Sequence, residues 1–295
     1  MIDFVKARIP LTHEKLCELE KSVDGFEYSF TTNDHGDFIK GEARYRNCKF
    51  ILKESCGSIS ATFQGSLHYY HNYPEMNYDD FGFQSVRSTI ASLSGLVDIP
   101  PDQWGVYYLE YGVNIKSDAA QVINGLVVYG RNMFNEIENN AKHFTTSESQ
   151  QFDIKAYDKR KHKLRYDSRG GINLHKSGVF DGKYNTPILR FEVRAKKAAY
   201  LRRLGVLNLA DLLNHKVHQN LANDLVRKWQ HSVLYDNKIQ IDKTPLKERV
   251  TLSEGRLKDF YIGKPKTVAS RKERFRELVI KRSEERRVGK ECVSE

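Results

Sequence analysis

Phe152-Asp153-Ile154-Lys155-Ala156-Tyr157-Asp158-Lys159 alternates apolar Phe152, Ile154 and Ala156 with polar Asp153, Lys155, Tyr157 and Lys159. Period two over eight residues is the pattern of a half-buried β-strand, whose successive side chains point to opposite faces. On such a strand the Tyr157 phenol shares a face with the ammonium groups of Lys155 and Lys159. Cations that close favour the phenolate, the nucleophilic form of tyrosine. On this segment alone a surface strand with an amphipathic tyrosine is the favoured reading, and the rest of the chain has to supply the partners of a nucleophile.

Working outward, Phe4 to Ile9 reads as a strand closed by Pro10, and Thr12 caps a helix running to about Lys21. Tyr28–Phe30, Ala43–Tyr45, Phe50–Lys53 and Ile59–Leu67 read as strands of an antiparallel meander separated by Gly, Asn and Asp turns. Phe83, Val86, Ile90 and Leu93 keep helical spacing from Phe81 to Ser94, with Gly95 as the stop. Trp104–Ile115 returns to strand composition, and a helix covers Ala119–Leu126. Beyond the Tyr157 strand come a Gly170-Gly171 turn, a strand Ile188–Val193, and helices at Ala198–Leu204, Leu209–Asn214 and Leu221–Trp229. Strands dominate before residue 195 and helices after it. The expected fold class is α+β, a central antiparallel sheet with helices packed on one face.

The 295 residues, 39% apolar, are enough for one large or two modest domains. No apolar run reaches membrane-spanning length, and Met1-Ile2-Asp3-Phe4-Val5-Lys6 lacks the basic-then-apolar order of a secretory leader, so a cytoplasmic protein without membrane contact is expected. The scattered Cys17, Cys48, Cys56 and Cys292 form no C-x-x-C pair, which argues against structural zinc and disulfides. Net charge is +10, and between Lys155 and Lys228 there are 18 Lys and Arg against 6 Asp and Glu, a local net of +12. Such a concentration fits a phosphate backbone, as well as a solvated basic surface. Arg160, Lys161, Lys163, Arg190, Arg194, Lys196 and Lys197 are its candidate DNA-binding residues.

Other candidates for chemistry are carboxylates and imidazoles. His68 and His71 stand three apart in a polar turn just past a strand, and neutral imidazoles ligate divalent metals. Glu110 lies in an otherwise apolar and aromatic strand, where it needs a metal ion, a Lys or an Arg as partner. In Leu189-Arg190-Phe191-Glu192-Val193-Arg194 the two arginines flank Glu192 on one face, able to pair with it or to hold a phosphate while Glu192 holds a metal. Phosphate-cradling G-x-x-x-x-G-K-[ST], G-x-G-x-x-G, G-x-S-x-G and H-E-x-x-H motifs do not occur, which argues against nucleotide hydrolysis, dinucleotide chemistry and the common hydrolases.

A strand ending Arg8-Ile9-Pro10, then Ser66 to His71-Asn72, Leu109-Glu110, Ala156-Tyr157-Asp158-Lys159, and Leu189–Arg194 followed by Tyr200-Leu201 and Gly205 occur in that order. This order resembles the gene II replication initiation endonucleases of filamentous phages (inoviruses), relatives of rolling-circle plasmid initiators in the HUH superfamily. The resemblance covers roughly residues 1 to 230. It departs at the histidines, since two tyrosines separate His68 from His71 where the superfamily has one hydrophobic residue; the His71-Asn72 pair is the part that matches. The resemblance implies an HUH/RRM-like palm and a tyrosine, here Tyr157, that attacks a DNA phosphodiester at the replication origin. The products are a 5′-phosphotyrosyl link and a free 3′-OH that primes rolling-circle synthesis. It further implies a divalent metal, Mg²⁺ or Mn²⁺, on His71 or His68 with Glu110 and Glu192, and Lys155 and Lys159 assisting catalysis. Single-stranded or supercoiled origin DNA is the implied partner, alongside host helicase and polymerase in the bacterial cytoplasm. Arg160 and Lys161, one helical turn on, supply no second tyrosine. A relaxase or transposase would use the same nick, and a non-catalytic origin-binding or copy-control protein would share the basic face.

On this reading residues 1–235 form the nuclease domain and 236–281 a basic C-terminal segment expected to be truncated. Residues 282–295 resemble the conceptual translation of a sequencing-adapter oligonucleotide, because eleven consecutive residues, Arg282 to Cys292, match it.

Overall fold

The computed structural model describes the chain apart from Cys56, residues 75–78, Arg131, 137–143, 160–187, Asn237 and 292–295. The expected Gly170-Gly171 turn lies outside the described residues. The fold is α+β, built on a large antiparallel sheet. The chain divides into two compact units, each assembled from separated stretches: Met1–Val113 with Gln150–Asp153 and Glu192–Leu225, and Asn114–Ser149 with Ile154–Phe191 and Val226–Glu295.

The first unit is led by β1 (Ile2–Ile9), α1 (His13–Ser22), β2 (Phe26–Thr32), β3 (Phe38–Tyr45), β4 (Cys48–Ser55) and β5 (Ser58–Ser66), followed by α2 (Leu67–Asn72), α3 (Phe83–Val97) and β6 (Gly105–Lys116). Its strands lie in the order β2-β3-β4-β5-β1-β6. Thr12 caps α1 by accepting from the Lys15 amide at 3.3 Å. Alternation then sorts the sheet, with Val5 and Ala7 of β1, Phe50 and Leu52 of β4, Ala61 and Phe63 of β5 and Leu109 of β6 all buried. Each large side chain so buried contributes about 1.5–3 kcal/mol. At Gly65 the strands approach so closely that a Cβ would stand 2.4 Å from Cys48 Sγ.

Two expectations fail here. The histidine segment is no turn but the helix α2: Ser66 Oγ caps it by accepting from the Tyr69 amide at 3.1 Å, and Leu67 and Tyr70, three apart, bury one face. Gly95 does not end α3 either. Leu93 and Val97, four apart, are both buried and carry the helix onward to Asp98, which stops it in the left-handed region (φ 58°) while its amide bonds Ser94 C=O.

The second unit holds α4 (Ala119–Gly125), β7 (Leu126–Tyr129), β8 (Asn132–Met133), β9 (Asn135–Glu136), β10 (Phe144–Glu148) and most of β11 (Phe152–Asp158), together with the first half of β12 (Ile188–Ala195). Helix α5 (Ala198–Arg203) and the first turns of α6 (His215–His231) belong to the first unit, and Ala210–Leu213 between them is a short 3-10 turn where an α-helix was expected. The end of α6, β13 (Ser232–Leu234), α7 (Leu246–Glu254) and α8 (Pro265–Glu291) complete the second unit. A core of Val127, Val128, Val233, Tyr235, Phe275 and Val279 joins β7, β13 and α8. Lys272 Nζ (3.0 Å) and the Arg276 guanidinium donate to the His231 and Gln230 carbonyls, placing cations at the negative end of α6.

Candidate functional site

In the second unit, β11 forms where the alternation predicts a strand, but its polar side is not open: Asp153, Tyr157 and Asp158 are buried along with Ile154 and Ala156, and the strand ends before Lys159. The Lys155 ammonium lies 5.6 Å from the centroid of the Tyr157 ring. This is cation–π range. Tyr157 is 8% exposed, and Lys159, just past the strand, is 6% exposed. Arg190, at the start of β12, is buried and donates to Asn114 Oδ1 at 3.2 Å.

In the first unit, the polar face of β1, β6 and the end of β12 carries a charged cluster. Glu110 accepts from Arg194 Nε at 2.9 Å and from the Tyr108 hydroxyl at 2.5 Å, both on Oε1. The partner that the lone carboxylate in β6 required is therefore an arginine, reinforced by a phenol. Burial, then the negative field of Glu110, keeps the Tyr108 phenol protonated far above its usual range, so it acts as a donor. Burial alone would weaken the Arg194 cation, but the carboxylates of Glu110 and Glu192 and the Tyr108 phenol hold it charged. Glu192 itself is 1% exposed. Lys6 on β1 sits 5.1 Å from the Tyr108 ring centroid, adding a second cation.

The histidines do not join this cluster. His68 is buried, its Nε2 2.7 Å from Asp79 Oδ1, and its ring stacks on Phe81 at 4.7 Å. Desolvation works against the Asp79 carboxylate, but its bonds to His68 and Asn72 prevail and hold its pKa below the ordinary value. His71 is exposed, with Nδ1 3.3 Å from Thr89 Oγ1. Among the described residues, no three His, Cys, Asp or Glu side chains gather as a metal-holding group. Of the proposed ligands only Glu110 and Glu192 act on common neighbours, Tyr108 and Arg194.

Lys196 pairs with Asp153 at 2.6 Å, and Lys197 is exposed at the start of α5, where its carbonyl accepts from the Tyr200 amide. Arg160, Lys161 and Lys163 lie outside the described residues. Sequence reasoning missed Tyr108, although it stands two residues before Glu110 and so shares its face. It also missed Asp79, which has no local signal linking it to His68. No helix among the described residues is long and apolar enough to cross a membrane. The described cysteines Cys17 and Cys48 are free thiols.

Set against known protein families and curated proteins, the chain matches none.

Proposed function

We propose that this chain nicks and rejoins DNA at a specific site to initiate rolling-circle replication of a phage or plasmid, with Tyr157 as its single covalent nucleophile. The observation that carries the reading is the Lys155 ammonium over the Tyr157 ring, 5.6 Å away, where the stretch of net charge +12 begins. The phenol loses its proton and its oxygen attacks the phosphorus. The bond from phosphorus to the 3′ oxygen breaks, and that oxygen leaves and takes up a proton. A phosphodiester is exchanged for a 5′-phosphotyrosyl ester, so the reverse step rejoins the strand with no outside energy source. Lys155 stabilises the phenolate and then the charge growing on the phosphoryl oxygens.

A divalent cation, Mg²⁺ or Mn²⁺, belongs to this proposal through Glu110 and Glu192, the two expected ligands that share neighbours. When bound, it would supply Lewis-acid polarisation of a phosphoryl oxygen. His68 fits such a role less well, because it already engages Asp79, whereas His71 is exposed and has no such carboxylate bond among the described residues. The test uses a supercoiled plasmid carrying the DNA element that encodes the gene. The protein is expected to convert it to a nicked circle with protein attached, and Tyr157→Phe to abolish both products while binding persists. Covalent attachment retained in Tyr157→Phe would overturn the assignment.

Two observations favour a second reading, a non-catalytic origin-binding or copy-control protein: Tyr157 is only 8% exposed, and Arg194 occupies Glu110. That protein would bind DNA in a salt-sensitive way and yield no product that depends on Mg²⁺ or Mn²⁺.

A further inference from the structure

The turn joining β3 to β4 consists of Arg46 and Asn47, flanked by the paired residues Tyr45 and Cys48. Arg46 has φ 53°, the left-handed region that glycine and asparagine enter at least cost. A long side chain held in this conformation needs surroundings that fix it. Three tyrosines do so: the Arg46 guanidinium lies 4.8 Å from the Tyr70 ring centroid, 5.3 Å from Tyr45 and 5.8 Å from Tyr73. Its Nη1 also donates to the Tyr70 carbonyl at 3.2 Å. Arg46 is nevertheless exposed, and among the described residues no carboxylate pairs with it, whereas nearby Arg44 is held by Glu42 at 2.7 Å. Tyr73 is 48% exposed, and its ring meets Tyr69 edge-on at 6.4 Å.

We infer that this turn is a stacking platform for an unpaired nucleotide, the base lying on Tyr73 and the outward N–H groups of Arg46 taking the adjoining phosphate. An exposed aromatic ring beside an unneutralised guanidinium offers one partner for a base and one for an anion, the pair that a single-stranded nucleic acid requires. A duplex hides the faces of its bases and gains only the charge. The inference rests on the polynucleotide-binding part of the proposed function and is independent of its chemistry.

The test is fluorescence anisotropy with a short fluorescein-labelled oligothymidylate and with a duplex of equal length. Tyr73→Ala is expected to weaken single-strand binding at least about fivefold, the lower end for one stacked base, and to leave duplex binding unchanged. Tyr73→Phe keeps the ring and should bind as the unsubstituted protein does. Arg46→Ala should weaken single-strand binding and flatten its salt dependence. Unfolding midpoints measured alongside report on folding. Single-strand affinity unchanged in both Tyr73→Ala and Arg46→Ala, or lost equally from single strand and duplex, would overturn the platform. If the platform variants behave as expected while no nick forms, the nicking reading falls alone; if nicks form and Tyr73→Ala binds normally, the platform falls alone.

Discussion

Removing one hydroxyl from Tyr111 is expected to destabilise the protein by about 2 kcal/mol. Tyr111, next to Glu110 on β6, is fully buried, and its hydroxyl donates to Asp224 Oδ2 on α6 at 2.5 Å. The Tyr200 hydroxyl of α5 donates to the same oxygen at 2.7 Å, and Asp224 is 3% exposed. Burial and the Asp224 charge keep the Tyr111 phenol protonated, hence a donor. Tyr111→Phe keeps the ring and opens no cavity, so what is lost is one hydrogen bond to a charged acceptor, about 1.5–3 kcal/mol. Asp224→Ala leaves two buried phenols without their acceptor, at about 1–3 kcal/mol each. Denaturant unfolding of the two single variants and the double variant forms the cycle. Once Asp224 is alanine, Tyr111→Phe is expected to cost nothing and to recover part of that loss, because it removes the hydroxyl left without its acceptor. A Tyr111→Phe effect below about 0.5 kcal/mol, or an equal effect in both backgrounds, would refute the claim that this carboxylate ties β6, α5 and α6 together.

Other outcomes are as specific. Gly65→Ala should cost about 1–3 kcal/mol by denaturant unfolding, because the new methyl would meet Cys48 Sγ at 2.4 Å, and Cys48→Ala should recover part of that loss. His218 is held below its ordinary pKa of 6.5, first by burial and further by the N-terminal amine and His215, although its bond to the Leu212 carbonyl opposes the shift. The unfolded chain therefore takes up this proton first, so stability is whole above pH 6.5 and falls as pH drops from there towards the lower folded value. His218→Gln should flatten that part of the pH profile, and an unchanged profile would remove the histidine from the explanation. For the β3–β4 turn, selective loss of single-strand binding in Tyr73→Ala is the expected result.

How far the fold could be read from sequence depended on where each signal lay. Local chemistry was legible: Thr12 announced α1, and alternation along Phe152–Asp158 announced β11. Glycine misled at Gly95, because the burial of Val97 outweighed the local stop signal. Helix α2 was hidden because six residues carry too little periodicity to separate from a turn. The long C-terminal α8 escaped notice because charges surround its few buried residues, Val268, Phe275 and Val279. At the site, the need of Glu110 for a cation was legible, while the identity of Arg194, 84 residues away, required the strand order. Asp224 is 113 residues from Tyr111, and no local pattern joins them.

The central claim is that Tyr157 is a nucleophile towards DNA. The most direct measurement is transfer of a labelled phosphate from origin DNA to the protein, followed by mapping of the modified residue. The account predicts a single 5′-phosphotyrosyl adduct on Tyr157 and none in Tyr157→Phe. An adduct on another residue, or none at any Mg²⁺ or Mn²⁺ concentration from a preparation that binds the DNA, would contradict it.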